Sequence, residues 1–107
     1  GDIYWADLEP TVGNEQAGRR PVLVISQTHF NDRSGTVIAI ALTSAEPKAG
    51  YPLSFELAKT PLPKRTWAKI SQIRTLSTQR LAGKIASCNA SELERVIEGF
   101  SILVAKR

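Results

Sequence analysis

A chain of 107 residues and 11.7 kDa has room for one hydrophobic core, so residues 1–107 are read as a single domain. Hydrophobic residues at 42% and charged residues at 22% are ordinary for a folded domain and exclude a disordered or fibrous chain. The net charge of +4 and pI near 9.6 favour polyanionic partners, as they do in many unrelated small proteins.

Residues 2–8 read as a first strand, rich in Ile3, Tyr4 and Trp5 and stopped at Glu9-Pro10, where proline withholds a ladder donor. Residues 11–20 follow as a long loop punctuated by Gly13 and Gly18, with polar Asn14, Glu15 and Gln16 between them and Arg19 and Arg20 at its end. Pro21 biases Arg20 to extended backbone, and residues 22–25 are apolar on both faces, as expected of a central strand. The stretch "THFNDRSG" reads as a polar hairpin connection. Residues 36–44 form the next strand, with Ile38, Ile40 and Leu42 on a large face and Val37, Ala39, Ala41 and Thr43 on a small one.

After a turn containing Pro47 and Gly50, Tyr51, Leu53, Phe55 and Leu57 alternate with Pro52, Ser54 and Glu56, predicting a strand with one wet side. "KTPLPKR" is a basic proline-rich loop, and residues 66–73 resume as a strand ending in a basic tip at Arg74. Residues 77–81 fit one helical turn, and residues 83–88 a short closing strand. The tail is the convincing helix: Leu93, Val96, Ile97, Phe100, Leu103 and Val104 keep helical spacing on one face. Asn89 is the expected N-cap, Glu92 three residues on completes a capping box, and Cys88 with Leu93 forms a hydrophobic staple. About five short strands and a terminal helix, without strand-helix alternation, predict a mainly β (α+β) domain: a small antiparallel barrel or twisted sheet covered by the helix.

The chemical inventory is narrow. Cys88 is the only cysteine, so an internal disulfide and a cysteine zinc site are excluded, and it reads as a small buried hydrophobe. His29 has no partner histidine, and the acidic residues Asp2, Asp7, Glu9 and Glu15 are spread rather than clustered, so no metal site is expected. No phosphate-binding loop, dinucleotide fingerprint or nucleophile elbow is present, and no cofactor is expected. The longest apolar runs, residues 22–25 and 37–42, fall far below the roughly 18 to 20 residues of a membrane helix. With no leader pattern, a cytoplasmic address is the expectation. What remains is arginine, hydroxyl and one loop carboxylate. Arginine's planar fork matches phosphate oxygens two at a time, and Pro21 with the buried strand would brace Arg20 as such a clamp. From spacing alone, paired arginines at a loop end read equally as solvated surface charge, and Thr43 as an ordinary strand residue.

The stretch "GDIYWADLEPTVGNEQAGRRPVLVIS" resembles the opening of the MazF/PemK family of toxin components from bacterial toxin-antitoxin modules. "IALTS", "AGYP", "SQIRTLSTQRL" and the capped terminal helix follow in the family's order, so the resemblance covers essentially the whole chain. It implies an SH3-like small antiparallel barrel of the PemK/CcdB type that forms a homodimer. It further implies a metal-independent, sequence-specific endoribonuclease acting on single-stranded mRNA, inhibiting translation and restrained by a cognate antitoxin. Operator DNA is then a partner only of the toxin-antitoxin complex.

The family's catalytic arginine of the "RP" step falls on Arg20, its catalytic threonine on Thr43 within "LTS", and its loop glutamate on Glu15, as base or as a residue orienting Arg20. Arg19 occupies a variable position of the motif. Residues expected to contact RNA are Asn14, Gln16, Arg19, Ser44, Lys64, Arg65, Lys69, Gln72 and Arg74. Some members carry an acid before the "Q-x-R-T" glutamine and a histidine before "EQ"; here those positions are Ser71 and Asn14, so roles tied to that acid or histidine do not transfer. Two readings of other classes compete: a CcdB-like toxin that binds a topoisomerase and cleaves nothing, and a non-catalytic nucleic-acid-binding barrel.

Overall fold

The computed structural model describes residues 1–8 and 18–105. Six strands, β1 (Asp2–Asp7), β2 (Arg19–Val24), β3 (Thr36–Thr43), β4 (Phe55–Glu56), β5 (Trp67–Ser77) and β6 (Leu81–Ser87), build one antiparallel sheet in the order β4-β5-β3-β2-β1-β6. Helix α1 (Thr28–Ser34) joins β2 to β3, a single 3-10 turn (Thr78–Arg80) joins β5 to β6, and α2 (Ala90–Leu103) follows the sheet. Principal extents of 33 × 32 × 31 Å are nearly equal, which a flat six-stranded sheet could not give; the sheet curls on itself. With β4 and β6 left as its edges, the sheet is barrel-like without closing. Among the described residues no helix is long and apolar enough to cross a membrane.

The central position expected for residues 22–25 holds, because β2 lies between β1 and β3 and buries side chains on both faces. Leu23 joins Ile3, Ile40, Leu42, Ala68 and Ile70 in one cluster, while Val22 and Val24 join Ala6, Val37, Ala39 and Leu76 in the other. The period of two along the strand sorts one continuous apolar run into two cores. Helix α2 covers the first core: Val96 is fully buried, and Leu93 and Phe100 pack against the cluster. Gly99 lets the helix approach β5, since a Cβ there would lie 2.9 Å from Ile70 Cδ1. The helical face is narrower than the sequence spacing predicts, because Ile97, Leu103 and Val104 are exposed.

The cap of α2 forms as predicted, but the box does not. Asn89 Oδ1 accepts from the backbone N–H groups of Ser91 at 3.0 Å and Glu92 at 3.1 Å. Glu92 turns away from the Asn89 amide and accepts from Lys59 N–H at 2.8 Å and Thr60 Oγ1 at 2.7 Å. The Thr60 hydroxyl then accepts from Asn89 N–H at 3.0 Å, standing between the two halves of the expected box. Asn89→Ala should therefore lower stability by about 1 kcal/mol, read from the midpoint of a urea melt with unchanged slope.

Two predicted elements are corrected. "THFNDRSG" is helix α1, closed by Gly35 at φ 70°, whose N–H reaches Asn31 O. None of its side chains is buried, so no apolar period marked it in the sequence. The strand predicted over residues 51–57 shrinks to Phe55–Glu56. Leu53 and Ser54 N–H groups both donate to Gly50 O, and Ser54 Oγ donates to Ala49 O, so the chain turns instead of extending. Within the turn the sides depart from the alternation, with Ser54 buried and Tyr51 and Leu53 exposed, whereas Phe55 and Leu57 keep their predicted inward side and pack on the core. Strand β5 runs four residues past the predicted 73, pairing with β3 out to Thr36↔Ser77.

Candidate active site

Arg19 and Arg20 begin β2, where the ladder with β1 pairs Arg20 with Ala6 and Arg19 with Asp7. The ladder with β3 runs Val24↔Ala39, Leu23↔Ile40, Val22↔Ala41; continued by two residues, that register sets Arg20 beside Thr43. Alternation puts both in one row with Val22 and Ala41, and the small face of β3 thus ends at the guanidinium-bearing start of β2. Arg19, Pro21 and Leu42 fall in the opposite row. At this end of the strands lies a cavity of about 310 Å³ whose wall includes Arg19, Arg20, Thr43, Ser44 and Lys64.

Thr43 is prepared to donate. Its Oγ1 already accepts from Ala45 N–H at 3.1 Å, which fixes the oxygen and directs the hydroxyl proton elsewhere. A donating hydroxyl beside cationic side chains suits an anionic oxygen. Thr43 also belongs to the wall of a second cavity, about 380 Å³, shared with Lys48, Lys69 and Ser71. Lys69 therefore lines a cavity that Thr43 shares and Arg20 does not.

The remaining candidates separate. Ser44 and Lys64 border the first cavity. Arg65 does not: its guanidinium holds Glu56 with two bonds of 3.0 Å and lies 4.9 Å from the centroid of the Trp67 ring. That hydrogen-bonded pairing lowers the Glu56 pKa and raises that of Arg65, on an exposed part of the surface. Gln72 and Arg74 are exposed on β5 and line neither cavity. Asn14, Glu15 and Gln16 lie outside the described residues. Cys88, half-buried, has its thiol pushed up first by desolvation, as befits a packing residue.

Sequence reasoning missed the apolar half of the first cavity, formed by Trp5, Pro21, Leu42, Leu62, Pro63 and Ile85. Trp5 looked like an ordinary strand residue. Its 41% exposure is the signal that single-sequence periodicity cannot carry.

A curled antiparallel sheet carrying an arginine, hydroxyl and lysine cleft at the ends of its central strands defines a small basic domain built to hold an anion. The family model for the PemK-like, MazF-like toxin of type II toxin-antitoxin system matches residues 1–104, and the chain belongs to that family. Endoribonuclease EndoA of Bacillus subtilis is 38% identical over 107 residues, covering 98% of this chain and 92% of that protein. Endoribonuclease MazF of Staphylococcus epidermidis is 38% identical over 104 residues, covering 95% and 87%. Among solved structures, MazF from Deinococcus radiodurans superposes with a TM-score of 0.81 at 30% identity, covering 99% of this chain and 94% of that one. A MazE-MazF structure from the same organism gives 0.81 at 29% identity, covering 100% and 95%.

Proposed function

We propose that this protein cleaves single-stranded RNA without a metal ion, by attack of a ribose 2′-hydroxyl on its own neighbouring phosphate. As a member of its toxin family the chain is an endoribonuclease, and the finer chemistry follows from what the cavity offers. The new bond joins O2′ to phosphorus and the breaking bond is P–O5′, leaving a 2′,3′-cyclic phosphate and a 5′-hydroxyl. The nucleophile belongs to the substrate, so the protein must stabilise the phosphoryl oxygens and move two protons. Arg20 clamps those oxygens, and Thr43 donates its hydroxyl proton to one of them. Glu15 is the proposed base for the 2′-hydroxyl proton, and the departing O5′ takes its proton from a water molecule hydrogen-bonded to Arg20. Ser44, Lys64 and Lys69 serve the adjoining nucleotides, with Arg19 as a further phosphate contact.

The observation carrying this reading is that Arg20 and Thr43 share one cavity wall at the ends of neighbouring strands. The same reading takes the chain as one domain acting as a homodimer, with a cognate antitoxin blocking the cavity and operator DNA bound only by the complex. Inhibition of translation is its cellular consequence.

The test is incubation of the purified protein with a defined single-stranded RNA in excess EDTA. Cleavage should persist, and the downstream fragment should accept phosphate at its 5′ end without prior phosphatase treatment. Inhibition of a topoisomerase, or RNA binding, in the absence of cleavage would overturn the reading.

A further inference from the structure

We infer that Trp5 is a stacking platform for the nucleobase next to the cleaved phosphodiester, an assignment that rests on the RNA-cleaving reading of the same cavity. Trp5 is the largest side chain in that wall and is 41% exposed. A half-exposed indole forgoes much of the free energy its burial would give, which is unusual for a residue in the middle of a strand.

The strand pairing accounts for its exposure. On one side Trp5 is opposite Pro21, whose flat ring shares the cavity wall with it. On the other side the register with β6 slips: Tyr4 pairs with Lys84 and Ala6 with Leu81. Trp5 therefore faces two residues, Ala82 and Gly83, across a bulge. Bulges re-aim side chains beside functional sites, and here the bulged partners are alanine and glycine, too small to cover an indole. The two residues of the bulge are too small to cover the ring, while Ile85 further along β6, with Leu62 and Pro63, shares the cavity wall with it.

The cavity wall thus carries two chemically distinct kinds of surface. Arg20, Thr43 and Lys64 offer charge and hydrogen bonds to a phosphate, and Trp5 with Pro21 and Leu62 offers flat apolar surface. A nucleotide has the same division, an anionic phosphate joined to a planar base. Unpaired bases of single-stranded RNA are free to splay and stack on aromatic side chains, and each stacked base strengthens binding by about 5- to 100-fold. Stacking of this kind is tolerant of base identity, so Trp5 contributes affinity and placement rather than sequence choice.

The experiment pairs Trp5 variants with abasic substrates. Trp5→Ala should lower kcat/KM on single-stranded RNA about tenfold, mainly through KM, and Trp5→Phe should restore most of it. Removing the base on one side of the cleaved bond should cost the wild-type enzyme a similar factor and cost Trp5→Ala almost nothing further. If the two losses multiply at both flanking positions, or if Trp5→Phe is as impaired as Trp5→Ala, the platform assignment fails. Binding of the matching all-2′-deoxy oligonucleotide is measured in parallel by tryptophan emission, the other tryptophan being Trp67. Quenching should appear with wild type and vanish with Trp5→Ala. An absence of RNA cleavage by wild type sinks the nuclease reading, whereas unquenched emission on binding sinks the platform, so the two failures are distinct.

Discussion

Arg20→Ala should lower kcat on single-stranded RNA by at least about 10² to 10³, with little change in thermal stability. The size follows from what is removed. A guanidinium preorganised toward the phosphoryl oxygens acts where charge accumulates in the transition state, and water that replaces it must reorient during the reaction. Stability should change little because the Arg20 side chain is exposed, where a single polar or ionic contact is worth at most about 1 kcal/mol, and alanine keeps the backbone ladder beside Ala6. Arg20→Lys separates charge from geometry: a point charge remains and the two-pronged fork is lost, so the rate should fall between wild type and alanine. Thr43→Ala should cost less than Arg20→Ala, because it removes one neutral donor. Arg19→Ala should act mainly on KM. Single-turnover cleavage with thermal melts of each variant reads both quantities, and wild-type-like turnover by folded Arg20→Ala would refute the clamp.

The sheet was legible where apolar periodicity was strong. Residues 22–25 read as a strand buried on both faces, and the small face of β3 ends in the Thr43 hydroxyl, whose catalytic role rests on the family motif and not on periodicity. The spacing of α2 and its Asn89 cap were equally plain. The illegible parts share a cause, which is that their apolar pattern does not report their backbone conformation. Helix α1 buries nothing, so its residues carry no apolar signature, and its stop depends on Gly35. Residues 51–54 alternate like a strand, yet two bonds to Gly50 O turn them back. Within the site, separating Arg20 from Arg19 rested on the family motif, because loop-end arginines look alike to composition. The β2-β3 register supplies a physical distinction, since it places Arg20 in the row of Thr43. Arg65 could not be sorted by sequence at all, for its partner Glu56 is reached only once β4 pairs with β5.

Glu92→Ala should destabilise the protein by about 3 to 4 kcal/mol, the sum expected for losing two charge-assisted hydrogen bonds within a buried site. Only 5% exposed, Glu92 holds Lys59 N–H and the Thr60 hydroxyl, and Thr60 in turn holds the Asn89 amide at the start of α2. Alanine would leave the buried Thr60 hydroxyl and the part-buried Lys59 N–H without their acceptor, and the loop they anchor carries Leu62, Pro63 and Lys64 into the cavity wall. Loss of the anchor should therefore raise KM for RNA even under conditions where the variant stays folded. Glu92→Gln discriminates between charge and connectivity. Its carbonyl oxygen can accept from Lys59 N–H while its amide donates to Thr60 Oγ1, and the displaced hydroxyl proton can turn to Cys88 Sγ, 3.7 Å away. If connectivity dominates, the glutamine variant should recover more than half of the lost stability in urea melts and regain a near-native KM. If the carboxylate charge at the first turn of α2 dominates instead, glutamine should be as damaging as alanine. The first outcome is expected, because the hydrogen bonds tie the Lys59–Thr60 loop to the start of α2 at three points, whereas a helix-end charge is worth at most about 2 kcal/mol.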